Sequence, residues 1–535
     1  MAMSPIHYTI GDDHTPLTLE MVASVARSSV SLTLAPSARE HVQQGRDFID
    51  RVAAREHAVY GVNTGFGELS RLRIAPEQLT ALQRNLVRSH AAGVGDPLPV
   101  DVTRAMMLLL ANSLSRGHSG VRPTVIDLLL DLLNADITPI VPSRGSVGAS
   151  GDLAPLAHLA LALIGESDVL MQDERLPSLV AFARINRQPL ILAAKEGLAL
   201  INGTHLMEAM GALAIHDSWI LLRAAEAAAA MSLEALLGSQ VPFDSRIHAL
   251  RPQVGQRQTA ARVLSLLEGS EIILSHKDCG RVQDPYSLRC IPQVLGSVRD
   301  ALTYCEEIFT RELLAVTDNP LVFAEDEAVL SGGNFHGQPL AMALDMAAIA
   351  IAHLAGFSER RTYNLMGPHP WDVNGAPPFL TPNPGLNSGY MIAQYVAAAL
   401  TNEINTLAHP ASVGSIPTSA GMEDFVSMGV TSGHQLLKSV ELTTQVVAIE
   451  LLCSAQGIEF RQPHHPGHGV TVVHTAVRQL VPALQEDRPP APDIAAIAQA
   501  IHAGIFDEAL QRWNKSSSSR TRRTTARSRT GTTQT

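Results

Sequence analysis

The most constraining feature of the sequence is a set of long apolar stretches with helical periodicity. They run through residues 203–238, 256–275, 292–315, 338–365, 386–408 and 427–458. Of all residues, 46% are hydrophobic and only 4% are aromatic, and Ala and Leu, both strong helix formers, predominate. Long amphipathic helices bury their apolar faces against one another. The sequence therefore predicts a mainly α-helical fold built as a bundle of long helices.

The organisation along the chain is predicted from the same patterns. Residues 1–200 form an N-terminal region of shorter helices and two glycine-rich loops, and residues 201–510 carry the long helices and the C-terminal helices. The shorter helices are predicted at 38–54, 76–90, 101–115 and 123–133, with Asp101 as an N-cap and Pro123 in a first turn. Residues 511–535 are rich in Ser, Thr and Arg, and we expect a disordered basic tail.

Charge and cysteine content limit the partners and the compartment. The net charge of -11 disfavours a nucleic-acid surface on the folded body, although the basic tail could touch anionic partners. The N-terminus lacks the pattern of a signal peptide, and the apolar stretch 340–357 carries Asp345 and His353, so no membrane segment is expected. The cysteines show no CxxC spacing and indicate reduced thiols in a cytoplasmic protein: Cys279, Cys290, Cys305 and Cys453.

The loop PSRGSVGASGDLAP at residues 142–155 interrupts the helical pattern and is followed at once by an apolar run. If the loop bends tightly, the Gly151 nitrogen can attack the Ala149 carbonyl, and loss of water closes a five-membered ring. Dehydration of Ser150 then leaves an exocyclic methylene. The product, 4-methylidene-imidazol-5-one, is an electrophile. Such a group suits the elimination of an amine, because an α-ammonium is a poor leaving group and a β-proton is barely acidic.

The segment GSVGASGDLAPLAHLAL resembles the signature of the aromatic amino acid ammonia-lyase and aminomutase family. The resemblance extends from roughly residue 10 to residue 510 and is strongest to the histidine-specific lyases. It implies the helical ammonia-lyase fold, of the fumarase and aspartase type, and a homotetramer whose active sites draw on three subunits. It also implies the self-formed electrophile from Ala149, Ser150 and Gly151, with no dissociable cofactor and no metal.

The same resemblance assigns further site residues. Tyr60 in YGVNTGFGELS matches the tyrosine of a mobile lid, a base for the β-proton whose ordinary pKa near ~10 must be lowered by its surroundings. Asn202 in INGTH matches a residue that contacts the ring and the substrate carboxylate. In QDPYSLR, Arg289 has the planar fork that suits a carboxylate. Gln283 and Tyr286 would line the same pocket, with Tyr286 near the leaving amine, and Phe335 in SGGNFHGQP would pack near the electrophile.

The substrate is predicted from three positions that differ within the family. Ser89 and His90 stand where histidine enzymes carry Ser-His, and Glu423 stands where they carry a glutamate rather than a glutamine. A carboxylate suits an imidazole, which donates hydrogen bonds and can become cationic. These residues favour conversion of L-histidine to trans-urocanate and ammonia. The departures from the histidine pattern, which leave strict specificity open, are Ile291, Gly414, Gly421, Met422 and Phe425.

Several alternatives stay open or are weaker. A tyrosine or phenylalanine ammonia-lyase, or a 2,3-aminomutase, would carry the same electrophile. Phosphate binding by GSVGASGD is disfavoured, because the glycines are spaced GxxGxxG and no GK[ST] follows. A non-catalytic helical scaffold would not need the combination of residues above. The histidines His464, His465 and His468 lie in a Pro/Gly loop without cysteine or acidic partners, which indicates a polar loop rather than a metal site.

Overall fold

The computed structural model of the protein describes residues 6–54, 59, 61–64, 74–277, 280–367, 376–513 and 515. The chain forms two compact units, each assembled from three stretches of sequence. The first unit contains Met1–His216, Tyr304–Met346 and Pro410–Gln435, and the second contains Asp217–Thr303, Ala347–His409 and Leu436–Thr535. The predicted regions, divided at residues 200 and 510, are consecutive segments of the sequence, and this division stays a prediction. Most of the predicted basic tail, residues 514 and 516–535, lies outside the described residues.

The described residues are mainly α-helical, as predicted. In chain order the helices are α1 (Leu19–Arg27), α2 (Pro36–Ala53), α3 (Leu79–His90), α4 (Val100–Leu114), α5 (Pro123–Asn134), α6 (Leu153–Leu163), α7 (Ser178–Arg184), α8 (Glu196–Ile201), α9 (His205–Ala235), α10 (Ser245–Ala249), α11 (Val254–Leu266), α12 (Glu271–Ser275), α13 (Tyr286–Arg289), α14 (Ile291–Glu312), α15 (Gln338–Leu365), α16 (Met391–Leu407), α17 (Gly429–Glu459), α18 (His468–Leu480) and α19 (Ala491–His502). The boundary between the two units falls within α9, α14, α15 and α17. The long patterns in the sequence therefore correspond to long helices.

In the described part of the chain, short strands form four small sheets, all of them in the first unit. They are β1 (Ile6–Ile10), β2 (Val30–Leu34), β3 (Val94–Pro97), β4 (Ile137–Pro139), β5 (Pro142–Arg144), β6 (Asp168–Met171), β7 (Glu174–Pro177), β8 (Leu321–Phe323) and β9 (Ala328–Leu330). The strands β1 and β2 pair in parallel, and the pairs β3–β5, β4–β6, β6–β7 and β8–β9 are antiparallel. The sequence did not predict them, because three to five residues are too few to show an alternating pattern.

The core of the first unit is centred on α4. Every residue of this helix from Val102 to Leu114 is buried, which is the pattern of a helix surrounded by other elements. The helix begins at Val100 after Pro99, so the prediction of Asp101 as its N-cap is wrong. Asp101 lies inside the first turn, where its carboxylate accepts a hydrogen bond from Arg27 at 3.2 Å. Pro123 opens α5, as predicted.

Two helix predictions in the second unit need correction. The pattern at 256–275 forms two helices, because the Ser270 side chain accepts a hydrogen bond from the Ile273 backbone N–H and starts α12 afresh. The pattern at 386–408 becomes helical only at Met391. The residues before it are held in a loop, since the backbone N–H groups of Ser388 and Gly389 both donate to the Asp487 carboxylate.

A buried ion pair ties the long helices of the second unit together. Arg361 of α15 and Glu450 of α17 are both fully buried, and their closest atoms are 2.5 Å apart. The Glu450 carboxylate also accepts hydrogen bonds from Ser232 of α9 at 2.8 Å and Ser358 of α15 at 2.6 Å. A buried charge left without such partners would be costly, so these contacts fix how the three helices align.

Helix α15 has the length and apolar composition of a membrane span, with a mean hydropathy of 1.8 over its most apolar window. Of that window, 61% is buried inside the protein, as in the core helix of a globular fold, so the helix is weak evidence for a membrane segment. Among the described residues, Cys290, Cys305 and Cys453 are not joined to one another by disulfide bonds, and Cys279 lies outside the described residues.

The C-terminal part of α9 carries a buried acid, Glu234. Its carboxylate accepts a hydrogen bond from the Gly467 backbone N–H at 2.8 Å. The other carboxylate oxygen, Oε2, is buried and has no hydrogen-bond partner in the described part of the chain. Burial raises the pKa of Glu234 to about 7, from an ordinary value of 4.5. The folded protein therefore holds a proton at this site at pH values where the unfolded chain has lost it.

We expect Glu234→Gln to remove a pH dependence of stability. As the pH rises from about 4.5 to about 7, ionisation of Glu234 favours the unfolded chain, and the free energy of unfolding of the wild type falls by about 3 kcal/mol from this group. Glutamine keeps the shape and the acceptor for Gly467. The Tm of the variant minus the Tm of the wild type should therefore increase as the pH rises through this range. Glu441→Gln, at an exposed position of α17, is the control and should show a constant difference. The same Tm difference for Glu234→Gln at pH 5 and pH 7 would contradict the assignment.

Candidate active site

The loop that contains Ala149, Ser150 and Gly151 is clamped to the segment before α9. Gly151 has a φ of +74°, and a Cβ at this position would collide with the Gly203 carbonyl. The backbone N–H of Asp152 donates to the same carbonyl at 2.7 Å. Only glycine allows this close approach of two backbones. The sequence of the loop therefore sets its bend, and contact with Gly203 holds it.

The Asp152 side chain attaches the same loop to the N-terminus of α9. Its carboxylate accepts hydrogen bonds from the backbone N–H groups of Leu206 at 2.9 Å and Met207 at 3.0 Å. The Ser146 hydroxyl donates to the other carboxylate oxygen at 2.8 Å. These bonds satisfy two of the free N–H groups that every helix start leaves unpaired. The loop and α9 are thus positioned by one fully buried side chain.

Ser150 and Glu423 lie side by side, although they are 273 residues apart in the sequence. The Ser150 hydroxyl donates to Glu423 Oε1 at 2.6 Å, and the Thr418 hydroxyl donates to Glu423 Oε2 at 2.8 Å. Asn202 Nδ2 lies 3.4 Å from the Ser150 carbonyl oxygen. Asn202 Oδ1 is buried and has no hydrogen-bond partner in the described chain. The structure thus brings Ser150, Asn202 and Glu423 together, three of the predicted site residues.

Two further segments border the loop. The backbone N–H of Met428 donates to the Val147 carbonyl at 2.9 Å, and that of Gly337 donates to the Gly148 carbonyl at 3.3 Å. Half-buried Phe335 precedes this second contact by two residues. Beside it, the rings of His336 and Phe425 stack with centroids 6.2 Å apart. These contacts place the predicted Phe335 and the divergent Phe425 on segments that border the Ala-Ser-Gly loop.

The region beneath the loop is rich in buried acids. Burial raises the pKa of Asp152 to about 6, against the lowering effect of its hydrogen bonds from Met207, Ser146 and Leu206. Burial also raises the pKa of Glu312 and, helped by the neighbouring Glu312 and Asp152 carboxylates, holds that of Glu208 well above its ordinary range. Because acids dominate this region, the loop is poorly suited to bind a phosphate.

The predicted ring selector lies at the C-terminal end of α3. His90 Nδ1 is 2.8 Å from the Leu86 carbonyl oxygen, and the Ser89 hydroxyl donates to the same oxygen at 3.0 Å. A carbonyl only accepts hydrogen bonds, so Nδ1 of His90 carries the proton and Nε2 of the neutral ring is an acceptor. Nearby, the Gly93 backbone N–H donates to His158 Nε2 of α6 at 3.1 Å, which holds the segment after His90 against that helix.

The predicted carboxylate clamp belongs to the second unit. Arg289 closes α13, donates a short hydrogen bond to the Gln283 side chain and places its guanidinium 5.7 Å from the ring centroid of Tyr286. Tyr286 itself is 73% exposed. The structure thus brings these three predicted residues together as a second group, on a different unit from Ser150, Asn202 and Glu423.

Residues 17–479 match the sequence model of a family described as aromatic amino acid lyase. The chain belongs to this family. A histidine ammonia-lyase of Sorangium cellulosum (strain So ce56) is 52% identical to it over 504 residues, which are 93% of this chain and 98% of the relative. A crystal structure of histidine ammonia-lyase from Trypanosoma cruzi has a TM-score of 0.88 at 38% identity and covers 95% of this chain and 96% of its own. A crystal structure of tyrosine aminomutase from Streptomyces globisporus has the same TM-score, 0.88, at 36% identity, with coverage of 95% and 99%.

These similarities confirm the predicted membership of the aromatic amino acid lyase family and the predicted helical ammonia-lyase fold. A lyase and an aminomutase match the chain with equal TM-scores, so the fold does not choose between elimination and migration of the amine. The roles of individual residues in the aromatic amino acid lyase site stay predictions. Tyr60, the predicted lid base, lies outside the described residues. In the described part of the chain, no group of three or more His, Cys, Asp or Glu side chains is placed to hold a metal ion.

Sequence reasoning missed Asp152, although this residue directly follows the Ala-Ser-Gly of the aromatic amino acid lyase signature. An acidic residue before the apolar run of α6 has the pattern of a local N-cap, and Asp152 does occupy that position. Its side chain makes no capping bond to α6 and instead caps α9. No sequence pattern distinguishes these two uses, because the second depends on contact with a helix some fifty residues further on.

Proposed function

We propose that this member of the aromatic amino acid lyase family eliminates ammonia from L-histidine in the cytoplasm and releases trans-urocanate. The family and the histidine ammonia-lyases that the chain resembles indicate a carbon–nitrogen lyase. The proposal adds the substrate and an electrophile made from Ala149, Ser150 and Gly151. The observation that carries it is the hydrogen bond between the Ser150 hydroxyl and the Glu423 carboxylate, in a loop whose glycine is pressed against a second backbone.

The surroundings of the loop fit a 4-methylidene-imidazol-5-one group. Ala149 is only 4% exposed and Gly151 has no room for a Cβ, as expected for a ring built within the backbone. The unpaired Oδ1 of Asn202 is a buried acceptor beside Ser150, available to a neighbouring donor. When formed, the group supplies an electrophilic carbon that accepts the substrate amine and makes it a better leaving group. The side chains of the chain bind and orient the substrate and move its protons.

Recognition of the amino acid backbone is assigned to Gln283, Tyr286 and Arg289. The guanidinium of Arg289 is held by Gln283 and lies over the Tyr286 ring, so its planar fork is oriented before a carboxylate arrives. Tyr286 is assigned a role near the leaving amine, and removal of the β-proton is assigned to Tyr60. A base of this kind must be tuned, since an ordinary tyrosine titrates near ~10.

We also propose that the enzyme is a homotetramer with shared active sites. Gln283 and Tyr286 lie on the surface of a single chain, which is unusual for residues that bind a substrate and is explained if they complete the site of another copy. Helix α16 supports subunit contact, because its apolar residues Ile392, Tyr395 and Val396 are 53%, 60% and 41% exposed. An apolar stripe of this kind on a helix marks a protein interface.

Recognition of the substrate ring is assigned to Ser89, His90, Phe335 and Glu423. Because Nδ1 of His90 donates to Leu86, its Nε2 accepts a hydrogen bond and suits an imidazole N–H. When the substrate ring is protonated, the Glu423 carboxylate, fixed by Thr418, can accept the N–H on its other nitrogen and balance the positive charge. A phenyl ring has no N–H to donate to Glu423 Oε1 and no positive charge to match the carboxylate, which disfavours phenylalanine as the substrate.

An aromatic 2,3-aminomutase is the second candidate. The equal TM-score of a tyrosine aminomutase favours it, and the same residues would serve both reactions. The outcome then depends on whether ammonia and the unsaturated acid leave or stay long enough to recombine. A tyrosine or phenylalanine ammonia-lyase would keep the electrophile and change only the residues around the ring.

The electrophile predicts a mass change. The wild-type chain should be lighter than its encoded sequence by two water molecules, whereas Ser150→Ala should not show this loss of two waters, because the hydroxyl that leaves as the second water is gone. The variant should fold normally, with an unchanged circular dichroism spectrum, and lose nearly all turnover. Intact-protein mass spectrometry decides the matter: active wild-type protein of full encoded mass would exclude the electrophile.

If the planar guanidinium of Arg289 binds the substrate carboxylate through two hydrogen bonds, a positive charge alone does not replace it. Arg289→Lys keeps the positive charge and removes the bidentate contact, so kcat/KM for L-histidine should fall. If the site excludes water, the fall should correspond to a loss of about 2–4 kcal/mol of transition-state stabilisation. Arg311→Lys, an exposed arginine on α14, is the control and should behave as the wild type. Near-normal kcat/KM for Arg289→Lys would make Arg289 a structural residue.

The ring-binding residues predict substrate preference. Glu423→Gln keeps the shape but cannot balance an imidazolium, so it should lower kcat for L-histidine more than it weakens binding of a neutral aromatic analogue. His90→Phe should shift preference towards phenylalanine. The measurement is turnover of histidine, tyrosine and phenylalanine at equal concentration, with products identified chemically. Faster turnover of tyrosine or phenylalanine by the wild type would refute the histidine assignment and leave the lyase assignment intact.

A further inference from the structure

His205, the first residue of α9, is a buried histidine that hydrogen bonding does not explain. Its side chain is 2% exposed, and neither ring nitrogen has a partner among the residues that the structure describes. Burial lowers its pKa to about 4, so the ring is neutral at physiological pH. Buried polar atoms are almost always paired. A residue kept here without such pairs is therefore explained by the contacts of its ring rather than by its nitrogens.

Those contacts lie on the glycine that holds the electrophile loop. A Cβ on Gly203, whose φ is +134°, would lie 2.5 Å from His205 Cε1 and 2.7 Å from Thr317 Oγ1. The Gly203 backbone in turn lies directly against Gly151. Gly203 is thus enclosed between Gly151 on one side and the wall formed by His205 and Thr317 on the other. The Thr204 backbone N–H, 3.3 Å from Thr317 Oγ1, keeps this threonine in place.

We propose that His205, with Thr317, is a positioning residue for the formation of the electrophile: its ring backs Gly203 and so presses Gly151 towards Ala149. The inference rests on the proposed function, because it concerns the making of the group assigned there. It assigns a positioning role to a residue outside the proposed substrate pocket. This role depends on the volume of the side chain and not on its ring nitrogens, so an apolar side chain of similar size can replace His205.

The chemistry explains why such a wall matters. The Gly151 nitrogen forms a bond to the Ala149 carbonyl carbon, and the carbonyl oxygen leaves as water with the protons of the Gly151 and Ser150 amides. The Ser150 hydroxyl then leaves as a second water with the Ser150 Cα proton. An amide nitrogen is a weak nucleophile, so the rate of closure depends on how closely the two atoms are held. A loop free to move away from Ala149 would close slowly.

The test compares three variants by the time course of mass loss. Each full-length chain is made by cell-free synthesis, and intact-protein mass spectrometry follows the fraction that has lost two waters. His205→Ala removes the wall and should mature at least tenfold more slowly than the wild type, with unchanged kcat per matured subunit. His205→Leu restores the volume without the nitrogens and should mature at the wild-type rate. His248→Ala is the matched control, since His248 is equally buried, at 2%, but lies on α10 in the second unit.

The outcomes distinguish failure of the positioning role from failure of the proposed function. A wild-type chain that never loses water would refute the electrophile, and with it this inference. A wild-type rate in His205→Ala, or slow maturation in His205→Leu, would overturn the positioning role alone. If His205→Ala does not fold, Thr317→Ala takes its place, with Thr317→Val as the variant that restores the shape. The same order is then expected, with Thr317→Ala slow and Thr317→Val fast, and equal rates for the two would overturn the proposal.

Discussion

The carboxylate of Asp152 holds together two segments that are more than fifty residues apart in the sequence. It accepts the backbone N–H groups at the start of α9 while its own backbone N–H donates to Gly203. A helix N-terminus carries partial positive charge, so a fixed carboxylate is the natural partner for it. The positions of Gly203, Asn202 and His205 relative to the Ala-Ser-Gly loop all depend on this contact.

This arrangement is maintained against the cost of burying charge. Asp152 is fully buried, and its pKa of about 6 shows that desolvation outweighs the hydrogen bonds that favour its ionised form. Glu208 and Glu312 are also buried, and the pKa of each is raised. The pKa of Asp152, about 6, leaves this carboxylate ionised at neutral pH, where it caps α9. Burial and the neighbouring Glu312 and Asp152 carboxylates raise the pKa of Glu208 well above its ordinary range.

The site residues could be predicted from sequence to different degrees. Distinctive sequence motifs that resemble those of a known family contain Ala149-Ser150-Gly151, Asn202 and Glu423. The structure brings Ser150 into contact with both Asn202 and Glu423. Gln283, Tyr286 and Arg289 were also predicted as one group and do lie together, in the second unit. Asp152 and His205 were missed, because each resembles an ordinary residue at the start of a helix. Their significance comes from which distant backbone they touch.

The sequence by itself determined the helices and the chemistry available to the loop. Helical periodicity is local, so the long patterns predicted α9, α14, α15 and α17 within a few residues. The bend at Gly151 is likewise local, since its φ of +74° is a conformation that favours glycine. Only the tertiary structure decided that Asp152 caps α9 rather than α6, and that Ser150 lies against Glu423. The physical reason is that capping and pairing bonds between distant segments are fixed by how the helices pack, and no periodicity in the sequence records that packing.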